Sequence, residues 1–347
     1  MNFTISESSV ENLYVGKPYV KWYVPVSVTS TNKFQSGLPR LPVPDLSSTV
    51  VKYLKSVRPL LNDDEFSRVC ALAFQSVTSE QGRKLQLKLI ERAKSKPDSS
   101  WLIDWWNDWC YLTDREPLVF FVSYFYAFKD VLVHIRQETK GSAQSAVAAA
   151  LVHHAISFRG ELLAGTLPPD MSGNKPQCMA QYAYLFNSCR VPGVEKDHYV
   201  TYEALSNRHI VVLCRGHVYT LNVIADDGTP LSTVALQSAF EAVLADARML
   251  GENAHPIGIL TSDLRDRWAE ARARLLGCNN SIIDDKGNTL NKIGLEAIQS
   301  AILAVCLDKD DLSGDCCERA SQRARAFWHG DGRNRFFVSQ ILIFLWY

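Results

Sequence analysis

Residues 209–224 restrict the fold most narrowly, because they contain two apolar, β-prone runs with only two residues between them. The runs are His209-Ile-Val-Val-Leu-Cys214 and His217-Val-Tyr-Thr-Leu-Asn-Val-Ile224, and the connection is Arg215-Gly216. A two-residue hairpin turn needs positive φ, which glycine adopts without steric cost. The pattern predicts a β-hairpin, so the chain must contain a sheet.

Helical spacing of apolar residues dominates the chain before this hairpin and returns after it. Asn62 followed by Glu65 is a capping-box signal in front of the apolar stripe that begins at Phe66. Helices are expected at 50–57, 66–73, 85–93, 142–163, 236–247 and 264–275 (the last behind a Ser262 cap), a short buried strand at 256–261, a surface loop at 277–293, and a helix then a strand over 297–307. The predicted fold class is α/β, a helical N-terminal region followed by a mixed β-sheet covered by helices.

Charge and cysteine content argue against several classes of function. The 347 residues include 37 basic and 37 acidic side chains, so the formal net charge is zero and no overall field attracts nucleic acid. The nine cysteines form no C-x-x-C pair, which favours reduced intracellular thiols over a zinc module or a disulfide framework. Residues 1–37 contain no apolar run of signal or membrane-span length. We therefore expect an intracellular chain with no metal site, no nucleic-acid partner and no transmembrane anchor.

Four of the eight tryptophans lie between residues 101 and 111. Trp101, Trp105 and Trp109 recur at helical spacing, which predicts an amphipathic helix that buries a tryptophan stripe. Trp106 and Tyr111 fall outside this stripe. Each has an apolar body and one hydrogen-bond donor, so each is suited either to core packing or to contact with a polar ligand.

Taken with its flanks, this segment resembles the choline/carnitine acyltransferase family. Eight motifs occur in the family's order: Leu38-Pro-Arg-Leu-Pro-Val-Pro44, Leu89–Lys94, Trp101–Leu112, Gly173–Tyr182, Cys189–Gly193, Asp227–Leu231, Gly258–Ser262 with Trp268-Ala269, and His329–Phe337. The resemblance divides the chain into an N-terminal extension at 1–37, an incomplete acyltransferase-like region at 38–337 and a hydrophobic tail at 338–347 that does not resemble the family. It implies the fold of the N-terminal part of the CoA-dependent carnitine acyltransferases.

The resemblance implies transfer of short- or medium-chain acyl groups between coenzyme A and the hydroxyl of carnitine, or of choline in one branch of the family. The acyl-CoA thioester is then a co-substrate, and no cofactor stays bound. In the family's carnitine enzymes, the positions that match Trp106 and Tyr111 lie near the substrate carboxylate, to which both side chains can donate a hydrogen bond. Core packing is the competing interpretation of these two residues.

The family's catalytic base is a histidine with an acidic residue four positions later, located after all eight motifs. Of the eight histidines in this chain, only His134 has such a partner, Glu138. His134 precedes the Gly173 motif, so its order is wrong, and a His–Glu pair at this spacing is an ordinary pair of neighbours on a helix. No residue of the chain is therefore assigned as catalytic.

These observations predict a truncated form that is inactive alone, with most of the coenzyme A site missing. Val338-Ser339, where the resemblance ends, is what an intron donor sequence read in frame would encode. The alternative is a non-catalytic binding or regulatory module that keeps part of the carnitine site. The sequence leaves the oligomeric state open, and it does not distinguish among cytosol, peroxisome and mitochondrion.

Overall fold

Helices come first and a sheet covered by helices follows, as the apolar spacing predicts. The structure, a computed structural model, describes residues 18–19, 29–97, 99–118, 142–277, 289–308, 317–318, 321–322, 324–325, 335 and 342–346. Its helices are α1 (Leu46–Val57), α2 (Asp63–Thr78), α3 (Glu80–Ser95), α4 (Ile103–Asn107), α5 (Ala143–Ala164), α6 (Thr233–Leu250), α7 (Arg265–Gly277) and α8 (Leu290–Ser300). Its strands are β1 (Pro18–Tyr19), β2 (Met171–Ser172), β3 (Lys175–Pro176), β4 (Ser188–Val191), β5 (His198–Tyr202), β6 (His209–Cys214), β7 (His217–Asn222), β8 (Ala304–Asp308) and β9 (Leu342–Trp346).

Two compact units divide the chain, and each is described by itself. The helical unit is Ser36–Trp109, and the sheet unit comprises Met1–Gln35 and Cys110–Tyr347. In the helical unit, α2 begins at the predicted capping box: the Asn62 side chain accepts from the Glu65 N–H at 2.9 Å, and the Glu65 carboxylate accepts from the Asn62 N–H at 3.1 Å. These two bonds satisfy main-chain donors that the first turn of a helix leaves free.

The predicted hairpin forms one side of the larger sheet, whose strand order is β7-β6-β8-β9. Strands β6 and β7 are antiparallel, with Cys214 opposite His217 across the turn, and Arg215 and Gly216 have φ of 51° and 76°. Strand β8 runs parallel to β6, and β9 runs parallel to β8. The sheet is therefore mixed, as the α/β assignment requires. A smaller sheet has the order β1-β5-β4.

Strands β6 and β8 are buried on both faces, which explains their continuous apolar sequences. One face packs against α5 and α6 through a cluster that includes Val152, Phe240 and Val212. The other face packs against α7, α8 and the smaller sheet through a cluster that includes Trp268, Ile298 and Leu213. Successive residues of β6 alternate between the two clusters because side chains of a strand alternate between its faces.

Strand β9 lies within residues 338–347, the segment that the sequence set apart as a hydrophobic tail. Leu342 pairs with Ala304 and Trp346 with Asp308, so this segment supplies a full strand to the larger sheet.

Several sequence-based expectations are wrong in detail. Residues 256–261 do not form a strand; Ile257–Ser262 is a 3-10 helix in which the Thr261 hydroxyl donates to the Gly258 carbonyl at 2.5 Å. Ser262 does not cap α7, because its hydroxyl donates to the Ile259 carbonyl and the helix begins only at Arg265. Part of the loop expected at 277–293 is helical, since α8 begins after a Thr289 cap. The first error arose because a short apolar run fits a strand and a helical turn equally well, and the second because turn residues dominate 277–289.

No helix among the described residues combines the length and the apolar character that crossing a membrane requires. The expectation of no transmembrane anchor was made for residues 1–37, of which the structure describes only 18–19 and 29–37.

Candidate functional site

Trp106 and Tyr111, the two predicted carnitine-binding residues, belong to different compact units of the chain. Trp106 belongs to α4 in the helical unit, and its side chain is 50% exposed. Tyr111 belongs to the sheet unit, in the π-helix Asp108–Leu112, and is 37% exposed. Neither residue fills the core, so packing alone does not account for either.

The predicted buried tryptophan stripe is wrong. Only Trp101 is buried; its indole N–H donates to the Leu41 carbonyl at 3.1 Å. Trp105 lies under the Arg92 guanidinium, 4.2 Å from its ring centroid, and Trp109 is 83% exposed. The reason is local: α4 is only five residues long before the π-helix begins, and the wider π-turn breaks the 3.6-residue period on which the stripe depended.

A charged cluster in the sheet unit surrounds Asp197, which is fully buried. One carboxylate oxygen accepts from the Nε atoms of Arg190 and Arg265, each at 2.7 Å. The other accepts from Arg115 at 3.0 Å and from the Gly193 main-chain N–H at 3.3 Å. We call Asp197, Arg115, Arg190 and Arg265 the Asp197 cluster.

The Asp197 cluster carries more positive than negative charge. Burial alone raises the pKa of the Asp197 carboxyl, but Arg265 and Arg190 outweigh it and hold the pKa below its ordinary value. Arg265 is buried too, and its two terminal nitrogens have no hydrogen-bond partner in the described part of the chain. Asp197 is therefore ionised at neutral pH and is the counter-ion of the buried Arg190 and Arg265, whereas Arg115 also pairs with Asp266 at 3.0 Å.

The Asp197 cluster also holds the main chain at Tyr111 and Leu112. Arg190 donates to the Tyr111 carbonyl at 2.6 Å. The Leu112 carbonyl accepts from the Asp197 N–H at 2.9 Å and from Arg115 at 3.0 Å. The last carbonyls of a helix have no partner within the helix, so these bonds complete the end of the π-helix. The backbone that carries the exposed Tyr111 phenol is thereby fixed from inside the sheet unit.

A second buried ion pair lies at the carboxyl end of β8. Arg335 donates through both terminal nitrogens to the two carboxylate oxygens of Asp308, each at 2.7 Å. The Asp308 carbonyl accepts from Gln144 at 2.8 Å. Arg335, the one described residue of the His329–Phe337 motif, is thereby bound to the end of β8.

Three of the described histidines bond to the main chain. His153, His209 and His217 each place one ring nitrogen within 3.0 Å of a main-chain carbonyl, those of Leu231, Ala297 and Gly251. Burial and Arg272 lower the pKa of His198 against the attraction of Asp197. His134, the one histidine with an acidic residue four positions later, lies outside the described residues.

Metal binding has no support in the described part of the chain, where no three His, Cys, Asp or Glu side chains lie close enough to hold an ion. Burial also raises the pKa of the Cys189 thiol to about 12 and that of Cys214 to about 11, so neither is a nucleophile at neutral pH.

Sequence reasoning missed the Asp197 cluster. Arg190 was noticed only as part of a motif, and Asp197, Arg115 and Arg265 were given no role. The available signal was Arg190, a charged residue inside the otherwise apolar Cys189–Gly193 motif, since a buried charge requires a partner.

Comparison with known proteins identifies the class. The sequence profile described as Choline/Carnitine o-acyltransferase matches residues 41–344. The chain therefore belongs to the choline/carnitine acyltransferase family, which confirms the resemblance drawn from the motifs. The match includes part of the 338–347 tail.

Individual relatives span several members of the family. The chain is 34% identical over 278 residues to carnitine O-acetyltransferase of Rattus norvegicus, covering 79% of this chain and 41% of the relative. It is 30% identical over 346 residues to mitochondrial carnitine O-palmitoyltransferase 2 of Rattus norvegicus, covering 91% and 48%. It is 32% identical over 288 residues to peroxisomal carnitine O-octanoyltransferase of Bos taurus, covering 81% and 44%. The chain thus spans less than half the length of these relatives.

Proposed function

We propose that the protein serves acyl transfer between coenzyme A and carnitine, and that this chain contributes binding of the carnitine carboxylate through Tyr111 and Trp106. Membership of the family carries the proposal, and three relatives from its carnitine branch support carnitine over choline. The helical region and the sheet that follows it then correspond to the N-terminal part of the CoA-dependent carnitine acyltransferase fold, with short- or medium-chain acyl-CoA as the co-substrate.

Exposure and donor chemistry support the role of the two side chains. The Tyr111 phenol has no hydrogen-bond partner among the described residues, although its main chain is fixed by Arg190. A half-exposed donor on a fixed backbone is suited to receive a carboxylate, and a hydrogen bond to a charged acceptor is stronger than a neutral one. Trp106 offers its indole N–H from α4 as a second donor.

Tyr111→Phe tests this role, because it removes the phenol O–H and keeps the ring. We expect the dissociation constant of L-carnitine, measured by NMR titration of the 347-residue chain, to rise about tenfold or more, equivalent to about 1.5–3 kcal/mol for a charge-assisted bond. Choline has the trimethylammonium and hydroxyl groups but no carboxylate, so its affinity should not change. Unchanged L-carnitine affinity in the variant, or no saturable binding by the wild type, would refute the role of Tyr111.

We further propose that the 347-residue polypeptide binds carnitine without turning it over. Transfer requires a general base to take the proton of the carnitine hydroxyl, which typically contributes 10²–10⁴-fold. Only His134 has the family's acidic partner, and it stands in the wrong motif order. The alternative function, a non-catalytic binding or regulatory module, rests on the same observation.

An assay of free CoA thiol tests whether this polypeptide lacks turnover, which both functions require. With acetyl-CoA or octanoyl-CoA, carnitine-dependent thiol release should stay at the level of the protein-free control. Release that exceeds the control and disappears in His134→Ala would make the polypeptide a catalyst and His134 its base.

A further inference from the structure

We propose that Arg190 is a positioning residue that places the Tyr111 phenol for the carnitine carboxylate. The proposal deepens the proposed function and rests on it. Arg190 does not touch the ligand; it acts through the main chain of Tyr111, which it connects to Asp197 in the interior of the sheet unit.

The geometry of Arg190 makes this connection specific. Its side chain is 1% exposed, its Nε donates to Asp197 at 2.7 Å, and a terminal nitrogen donates to the Tyr111 carbonyl at 2.6 Å. The planar guanidinium fixes the angle between these two bonds, so the position of Asp197 determines the position of the Tyr111 carbonyl. A lysine ammonium is one point charge at the end of a flexible stem and does not reproduce both bonds with that geometry.

The end of the π-helix explains why Tyr111 needs an external support. Tyr111 and Leu112 are its last two residues, and both of their carbonyls accept from the Asp197 cluster. A positive charge at a helix C-terminus is also favourable electrostatically. Arg190 and Arg115 thus act together as a cap, and the direction of the Tyr111 side chain follows from the backbone that they hold. Donors placed accurately by a supporting shell bind better than donors that must first be ordered.

Arg159 provides a matched control for loss of stability. It is also a buried arginine of the sheet unit, and it likewise uses Nε and a terminal nitrogen, which donate to the Asn187 side chain and to the Ala204 carbonyl. It makes no contact with Tyr111, Leu112 or Asp197 among these bonds. Arg159→Lys therefore disturbs a comparable pair of buried guanidinium hydrogen bonds and leaves the bond to the Tyr111 carbonyl in place.

The experiment compares Arg190→Lys, Arg159→Lys, Tyr111→Phe and the double variant Arg190→Lys/Tyr111→Phe in the full 347-residue chain. The measurement is the dissociation constant of L-carnitine by NMR titration, with choline as the ligand that lacks a carboxylate. We expect Arg190→Lys to raise the dissociation constant of L-carnitine at least about fivefold, which corresponds to about 1 kcal/mol. Arg159→Lys should leave this dissociation constant unchanged. Choline affinity should be unaffected in both.

The double variant decides whether Arg190 acts through Tyr111. If it does, the double variant binds L-carnitine no more weakly than Tyr111→Phe alone, because coupled residues are not additive. Additive losses, or wild-type affinity in Arg190→Lys while Tyr111→Phe is weakened, would overturn the positioning role and leave the proposed function intact. Wild-type affinity in Tyr111→Phe would remove the proposed role of Tyr111 and this proposal with it.

Arg115→Lys keeps the test possible should Arg190→Lys fail to fold. The Arg115 side chain is 22% exposed and donates to the Leu112 carbonyl, the neighbouring position of the same cap. We expect a smaller loss of L-carnitine affinity that again disappears in the Tyr111→Phe background. A loss of the same size in both backgrounds would overturn the proposal.

Discussion

At the scale of single residues, Asp197 determines the electrostatics of the cluster that supports Tyr111. It is a buried carboxylate that faces three arginines drawn from separate parts of the chain. The attraction of Arg265 and Arg190 outweighs the burial, which by itself raises the pKa of the carboxyl. Removing its negative charge leaves the two buried guanidinium groups of Arg190 and Arg265 without their counter-ion, and this is the costly way to break a buried ion pair.

Asp197→Asn should therefore lower the free energy of unfolding at pH 7 by about 3–5 kcal/mol. The folded pKa of Asp197 lies below its unfolded value of about 3.9, so the charge contributes stability above that value and loses it as pH falls through the folded pKa. The gap between wild type and variant should hold above about pH 5 and narrow at lower pH, as measured by urea denaturation. A gap that stays constant down to pH 2.5 would contradict this account.

Asp227→Asn is the matched control for this measurement. Asp227 is exposed and its carboxylate accepts from the N–H and hydroxyl of Thr229, at 2.9 and 2.7 Å. An asparagine carbonyl can accept the same bonds, so we expect little change in the free energy of unfolding at pH 7.

At the scale of elements, the turn between β6 and β7 depends on left-handed backbone at both of its residues. Gly216→Ala should destabilise the protein by about 1–2 kcal/mol, because an L-residue at φ of 76° brings its Cβ too close to the following carbonyl. Gly160→Ala in α5 should have the opposite effect and raise the free energy of unfolding by about 0.5–1 kcal/mol, since an added Cβ there meets no atom within 4 Å. Urea denaturation of both variants checks the pair; equal effects would contradict the role of φ.

Elements whose determinants are close in sequence were predictable. The Asn62 cap, the β6–β7 turn and the helix-then-strand order of α8 and β8 each follow from residues a few positions apart. The 3-10 helix at Ile257–Ser262 was mistaken for a strand because a short apolar run does not distinguish a buried strand from a helical turn.

The candidate site was predictable only in part. Trp106 and Tyr111 were found from their donors and from the family resemblance, whereas the support of Tyr111 was not. Arg190 and Arg265 are 75 positions apart, and they meet on Asp197 only because β4, β5 and α7 pack together in one cluster. No spacing rule connects residues that tertiary packing brings together.

At the scale of the whole molecule, the two compact units differ in how much apolar surface they bury. The helical unit has a small core of Val50, Leu54 and Ala73, each still 8–9% exposed. The sheet unit buries both faces of β6 and β8, and Ile210, Val212 and Val305 are fully inaccessible. Because stability follows burial, local opening should require less free energy in the helical unit than in the sheet unit.

Native-state hydrogen exchange should resolve this difference. We expect a lower opening free energy for the amides of α1, α2 and α3 than for the amides of β6 and β8. Asn62→Ala sharpens the test, because loss of the α2 cap costs about 1 kcal/mol and should speed exchange in the helical unit about fivefold. Exchange in β6 and β8 should not respond to this variant, since their opening is separate. Helical amides that exchange only together with β6, in wild type and in variant alike, would show that the two units open as one cooperative structure despite their unequal cores.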